Sequence, residues 1–181
     1  GGLYILPPFG AHENNSLYTT RLEALKNVIG FLSKSTEDYV VMSDSDMVCS
    51  VDLGEVVKRH VEKNADITMV YVTKSRKEVD GNSNTYLALE EDGRVKELAF
   101  ESKRQTVNLY TNICVISRVL LISLIGEAVA HGKTHFQKEV VMPGLKSLRV
   151  YGYLLEGYYA EITSMQKYYE ENMRFLSSEV R

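Results

Sequence analysis

Residues 39–72 read YVVMSDSDMVCSVDLGEVVKRHVEKNADITMVYV, and this stretch decides the fold class. Tyr39 to Met42 form a continuous apolar run bounded by polar residues, the composition of a strand covered on both faces. Asp52 with Glu55 gives an N-cap signal, and Leu53, Val56, Val57, His60 and Val61 then share one helical face before EKNAD ends the helix. A second strand, ITMVYV, follows at once. Strand, helix and strand with short connections predict a parallel, doubly wound α/β sheet.

The neighbouring segments extend the pattern. Upstream, Thr20 with Glu23 fits a capping box, and Leu22, Leu25, Ile29 and Leu32 recur at helical spacing. LYIL, residues 3–6, reads as a strand stopped by Pro7 and Pro8, and a loop is expected over residues 9–16. Downstream, NTYLALEEDGRVKELAFES reads as two strands around a Glu-Asp-Gly turn, an antiparallel hairpin insertion. VNLYTNICVIS is a buried strand, RVLLISLIGEAVAHG a helix closed by Gly132, FQKEVVMPGLKS a shorter helical stretch and LRVYGYLLEG a last strand. Thr163 with Gln166 repeats the capping signal, and Met165, Tyr168, Tyr169, Asn172, Met173 and Leu176 are expected to be the packed face of a terminal helix.

Composition narrows the function classes. With 181 residues, 44% hydrophobic and 25% charged, the chain can bury a real core. A net charge of -3 without a basic stripe argues against a partner rich in phosphates such as nucleic acid. No run of 18 apolar residues predicts a membrane span. Cys49 and Cys114 have no zinc or disulfide spacing, so a reducing cytoplasm is expected. The four histidines share no spacing and read as surface or helix-face residues.

In a doubly wound sheet, ligands gather outside the carboxyl ends of the strands. Asp44 and Asp46 stand at one such end and Glu161 just beyond the last strand. A magnesium ion serving a nucleotide takes one or two carboxylates plus phosphate oxygens and water, so one acid from each strand end suffices. Asp44 also reads as a turn residue and Asp52 as a helix cap. Asp44-Ser45-Asp46 also matches the metal-binding D-x-D of a glycosyltransferase, a weak signal because so short a motif recurs by chance.

Three ordered stretches carry a more specific signal. Residues 39–72, DGRVKELAFESK and GYYAEITSMQKYYEENMRFL resemble, in that order, segments of the bacterial glucose-1-phosphate adenylyltransferases (ADP-glucose pyrophosphorylases). GLYILPPFG, SDSDMVCSVDL and YGYLLEGYYAEITSMQKYY resemble the GlgD-type subunit of that family, a paralogue of the catalytic subunit in glycogen synthesis. The resemblance implies a Rossmann-like sugar-nucleotidyltransferase domain over residues 1–181. It also implies a fragment, with a Gly-rich phosphate loop upstream and a left-handed β-helix domain downstream in the full protein.

The resemblance places the family's metal-binding, catalytic carboxylates on Asp46 and Glu161, with Mg²⁺ as cofactor and ATP and glucose 1-phosphate as substrates. The family's substrate positions fall on Glu101, Lys103, Thr111 and Asn112. Departures accompany the match. Thr20-Arg21-Leu22-Glu23-Ala24 replaces the small residues GTADA, Lys103 lies one residue out of step with Glu101, and Tyr110-Thr111-Asn112 replaces SMG. The loop GGGxGTRLxPLT has no counterpart. These changes predict a subunit of impaired activity, and the resemblance implies a hetero-oligomer, a tetramer when full length, with a catalytic adenylyltransferase subunit. The alternative is an active sugar-phosphate nucleotidyltransferase.

Overall fold

The computed structural model describes residues 2–6, 20–79 and 84–176. The loop expected over residues 9–16 lies outside them. The chain gathers into two compact units, one from Gly1–Val40 and Ile116–Ser147, the other from Val41–Val115 and Leu148–Arg181.

The first unit is built on helix against helix. In α1, Arg21–Lys34, the Thr20 hydroxyl accepts from the Glu23 amide while the Glu23 carboxylate accepts from the Thr20 amide, the expected capping box. Helix α3, Arg118–Ala130, is capped by Ser117 and turns out at Gly132 with a φ of 64°, a conformation glycine adopts at little cost. Leu22 and Leu32 of α1 and Leu121 and Ile125 of α3 are buried in this unit. The stretch expected after α3 forms one π-helical turn, Phe136–Val141, running into the three-residue α4, Met142–Gly144. Leu3–Leu6, expected as a strand, joins neither sheet. Its side chains stay exposed, and Tyr4 meets the ring of Phe31 at a centroid distance of 5.2 Å.

The second unit holds the sheet. Strands β3 (Ile67–Ser75), β4 (Tyr86–Leu89), β5 (Val95–Ala99), β6 (Thr106–Ser117) and β7 (Val150–Leu154) lie in the order β5-β4-β6-β3-β7. β3 and β7 are parallel, with Ile67 opposite Val150 and Tyr71 opposite Leu154. β4 pairs antiparallel with β5 around the turn at Gly93, as the hairpin signal predicts. Helix α2, Leu53–Glu62, packs on β3 and β7 with Val56 and His60 buried, and Asp52 caps it by accepting from the amides of Gly54 and Glu55. The α/β class read from residues 39–72 is therefore what the chain forms. The neighbours of β3, however, are β6 and β7, so strands consecutive around α2 are not adjacent in the sheet.

Val56, Val70, Val72, Val107, Leu109, Ile113, Val115 and Leu155 make the core of this unit. At its edge the buried His60 places Nδ1 2.8 Å from the Thr68 hydroxyl. Asp66 and Arg149 clamp the starts of β3 and β7 through two side-chain bonds of 3.0 and 3.2 Å and a backbone bond of 2.7 Å.

Two further findings differ from the sequence reading. The strand β1, Tyr39–Met42, buries Met42 but leaves Tyr39 and Val41 exposed, so it is not covered on both faces. The terminal helix α5, Met165–Phe175, is capped by Ser164, whose hydroxyl accepts from the Lys167 amide, one residue later than expected. Its expected packed face is turned to solvent: Met165 is 80% and Tyr169 61% exposed. The buried position is a charged one instead: Glu171 is only 2% exposed, with the part-exposed Lys167 and Arg174 pairing with it from four residues before and three after.

Candidate functional site

Two short strands that the sequence reading missed build the site. β2, Met47–Cys49, pairs antiparallel with β8, Tyr159–Glu161, with Met47 opposite Glu161 and Cys49 opposite Tyr159. The ladder is closed at both ends. The Ile162 amide donates to the Asp46 carbonyl at 2.6 Å, and the Ser50 amide donates to the Tyr158 carbonyl at 2.9 Å. This ribbon brings Asp46 and Glu161, far apart in the chain, to adjacent positions.

Glycine makes the close approach possible. A Cβ on Gly157 would stand 2.4 Å from the Ser50 carbonyl oxygen, inside any tolerable contact. The charges meet around Tyr159. Burial first, then the charges of Glu161, Asp46, Cys49 and Asp44, push its hydroxyl well above the ordinary tyrosine range. Tyr159 therefore stays a neutral phenol beside the acids, able to donate a hydrogen bond.

Among the described residues no three or more His, Cys, Asp or Glu side chains gather as a metal cage. Two carboxylates from neighbouring backbone segments suit a hard cation that draws its other ligands from a substrate and water. Asp44 lies in the segment between β1 and β2, where its carbonyl accepts from the Ser43 hydroxyl at 2.9 Å, and Asp52 is the α2 cap.

The other expected substrate residues separate into two groups. Glu101 and Lys103 line two neighbouring cavities of about 450 and 530 Å³ that share Tyr86. Such volumes suit a small-molecule ligand. Arg76 lines the larger of them and lies over the Tyr86 ring, 5.9 Å from its centroid. Thr111 and Asn112 line neither. Thr111 is fully buried, its hydroxyl donating to the Val70 carbonyl at 2.9 Å and accepting from the Ile113 amide at 3.4 Å. That side chain supplies backbone partners where β6 departs from a regular ladder. Asn112 is the departure itself, with a φ of 63°. Asparagine is the residue after glycine that best tolerates this region, so the backbone turn survives at the position where the resemblance has glycine.

A narrow cleft opens beside the ribbon. Lys74, Tyr159, Glu161, Lys167, Glu171 and Arg174 line it. The Lys74 ammonium donates to the Tyr159 carbonyl at 3.3 Å and lies 5.1 Å from the centre of its ring. Glu171 accepts a short hydrogen bond from the Tyr158 hydroxyl and pairs with Lys167 at 3.1 Å and Arg174 at 3.8 Å.

No family model matches the chain. In sequence it is 25% identical to a glucose-1-phosphate adenylyltransferase of Desulfitobacterium hafniense, over 99% of this chain and 46% of that protein. It is 28% identical to the enzyme of the same description from Acetivibrio thermocellus, over 98% of this chain and 42% of that protein. The chain spans about half the length of the curated relatives it matches. In structure it is similar to HddC from Yersinia pseudotuberculosis, with a TM-score of 0.67 at 15% identity over 90% of this chain and 64% of that one. The same protein complexed with GMP-PN gives 0.64 at 17% identity. The sequence relatives support kinship with the glucose-1-phosphate adenylyltransferases, and the structural neighbour carries the α/β fold.

Proposed function

We propose that this chain is the nucleotidyltransferase-type part of a glucose-1-phosphate adenylyltransferase subunit in the GlgD-type role. In that role it has weak turnover of its own and assembles with a catalytic adenylyltransferase subunit in cytoplasmic glycogen synthesis. The β2–β8 ribbon that sets Asp46 beside Glu161 carries the reading. The reaction concerned is attack by a phosphate oxygen of glucose 1-phosphate on the α-phosphorus of ATP. A new P–O bond forms and the bond to the pyrophosphate leaving group breaks.

Asp46 and Glu161 are the residues to hold Mg²⁺, which when bound supplies charge neutralisation at the phosphate oxygens. The neutral Tyr159 phenol keeps the pocket floor from adding a further negative charge. Glu101, Lys103 and Arg76 frame a cavity of the size a sugar or nucleoside needs. The impaired half of the proposal rests on Thr111, which is committed to the Val70 carbonyl, and on the Thr20 to Ala24 segment, which forms a helix start with bulky side chains.

The test uses the full-length protein. Purified alone, it should make ADP-glucose from ATP and glucose 1-phosphate at a small fraction of the rate reached with its catalytic partner, and the two should co-purify. An ordinary enzymatic rate without the partner, abolished by Asp46→Asn, would instead establish the active transferase that the retained carboxylate pair allows.

A further inference from the structure

We propose that Glu171 of α5 is a positioning residue for Glu161: through its hydrogen bond from the Tyr158 hydroxyl it fixes where the Glu161 carboxylate stands beside Asp46. This inference rests on the functional reading above, which gives the carboxylate pair its divalent cation. It adds a residue that neither the sequence reading nor the resemblance assigns to the site.

The course of the chain supplies the first argument. Residues 158–164 form an arch with both feet on one helix. The Tyr158 hydroxyl donates to Glu171, midway along α5, and the Ser164 hydroxyl accepts from the Lys167 amide in its first turn. Glu161 is the middle residue of that arch. A segment closed at both ends has little conformational freedom left, and opening one end returns it. From the other side the arch is held by β2, where the Ser50 amide donates to the Tyr158 carbonyl and the Ile162 amide to the Asp46 carbonyl. Yet β2 and β8 make a sheet of only two strands, and such a ribbon is marginal by itself. Its geometry depends on what it docks against, and at Tyr158 that is α5.

The chemistry of this foot supplies the second argument. Glu171 is 2% exposed, so its carboxylate has exchanged water for protein partners. Tyr158 comes from outside the helix, while the part-exposed Lys167 and Arg174 come from within it, at 3.1 and 3.8 Å. Burying a carboxylate is costly, and well-packed apolar residues in place of a buried ionic group are often neutral or stabilising. Packing alone would be served as well by an apolar side chain. What the carboxylate adds is direction, because a hydrogen bond weakens steeply when misaligned. The Phe175 ring meets the Tyr158 ring edge-on, at a centroid distance of 5.6 Å and an interplanar angle of 72°. Ring and hydroxyl are therefore both held, and the backbone leading to Glu161 is held with them.

Mn²⁺ is the probe, because its paramagnetic resonance signal reads binding without turnover. In the full-length protein, Asp46→Asn and Glu161→Gln should each weaken Mn²⁺, which locates the ion at the pair. Glu171→Ala and Tyr158→Phe should each weaken it about tenfold, the usual cost of removing a group that orients a metal ligand. Glu171→Gln keeps an oxygen that accepts from the Tyr158 hydroxyl, so its affinity should stay within about twofold of wild type. Circular dichroism melting sets a temperature at which every variant is folded. Leu121→Ala, in the core of the first unit, is the control: it should melt lower with Mn²⁺ affinity unchanged.

Glu171→Ala and Tyr158→Phe variants that melt lower but bind Mn²⁺ as tightly as wild type overturn the positioning role and leave the carboxylate pair standing. Glu171→Gln as weak as Glu171→Ala overturns it too, since the charge and not the bond would then matter. Mn²⁺ affinity indifferent to Asp46→Asn and Glu161→Gln removes the pair and the positioning role together. Co-purification and ADP-glucose synthesis with the catalytic partner are measured on the same preparations. Mn²⁺ binding that depends on Glu171 and Tyr158, in a protein that neither joins nor stimulates a catalytic subunit, defeats the functional reading alone.

Discussion

A methyl group at Gly157 would overlap the Ser50 carbonyl at 2.4 Å, and the atom it meets is backbone that cannot swing away. Gly157→Ala should therefore destabilise the protein by about 1–3 kcal/mol, the usual cost of forcing extra volume into a packed contact. Urea unfolding measures it, and an unchanged midpoint would mean that the ribbon relaxes freely. Asn112 makes the converse case. Its φ of 63° strains every residue except glycine to some degree. Asn112→Ala should cost about 1 kcal/mol and Asn112→Gly close to nothing. Equal stability of the two variants would show that the Asn112 side chain, and not its backbone, is what matters there.

Elements differ in how openly the sequence announces them. α1 and α2 were legible because their caps are local: Thr20 with Glu23, and Asp52 with the Gly54 and Glu55 amides, act within one turn. The β4–β5 hairpin was legible from its Gly93 turn. β2 and β8 were not, because three residues are too few for a period-two pattern and their pairing partner lies at the other end of the chain. Asp46 and Glu161 could thus be singled out one by one, while the ribbon that joins them could not.

The orientation of α5 was hidden for another reason. Periodicity marks an apolar stripe, but burial of Glu171 depends on the Tyr158 hydroxyl, a partner from outside the helix that only the fold supplies. Removing that anchor tests the account. Glu171→Ala should cost about 1.5–3 kcal/mol, as expected for a buried hydrogen bond to a charged group. Met165→Ala, on the 80%-exposed side of the same helix, should stay within about 0.5 kcal/mol. If the two costs were reversed in chemical denaturation, the helix would pack by its apolar face after all.

For the whole molecule, acid is the condition that separates folded from unfolded chains, and two buried or clamped groups set its direction. Burial holds the His60 imidazole below its ordinary value of 6.5 against the opposing pull of Asp66. As pH falls below about 6.5 the unfolded chain takes up a proton at His60 that the folded chain resists. Stability contributed by the neutral, Thr68-bonded ring is thus present above that value and declines on acidification. Asp66 runs in the same direction lower on the scale. The Arg149 side-chain bonds, strongest among the causes, hold its carboxyl below 3.8, so its contribution is present above that value and is lost as pH drops through the folded one. Both groups join α2, β3 and β7, so the loss falls on the larger of the two sheets. Urea midpoints should be level at pH 7.5 and above, lower at pH 5.5 and lower again below pH 4. His60→Gln should be less stable at pH 7.5 yet lose the step between pH 7.5 and 5.5, because its amide does not titrate. A wild-type midpoint as high at pH 5.5 as at 7.5, or a step of the same size in His60→Gln, would place the acid sensitivity elsewhere in the fold.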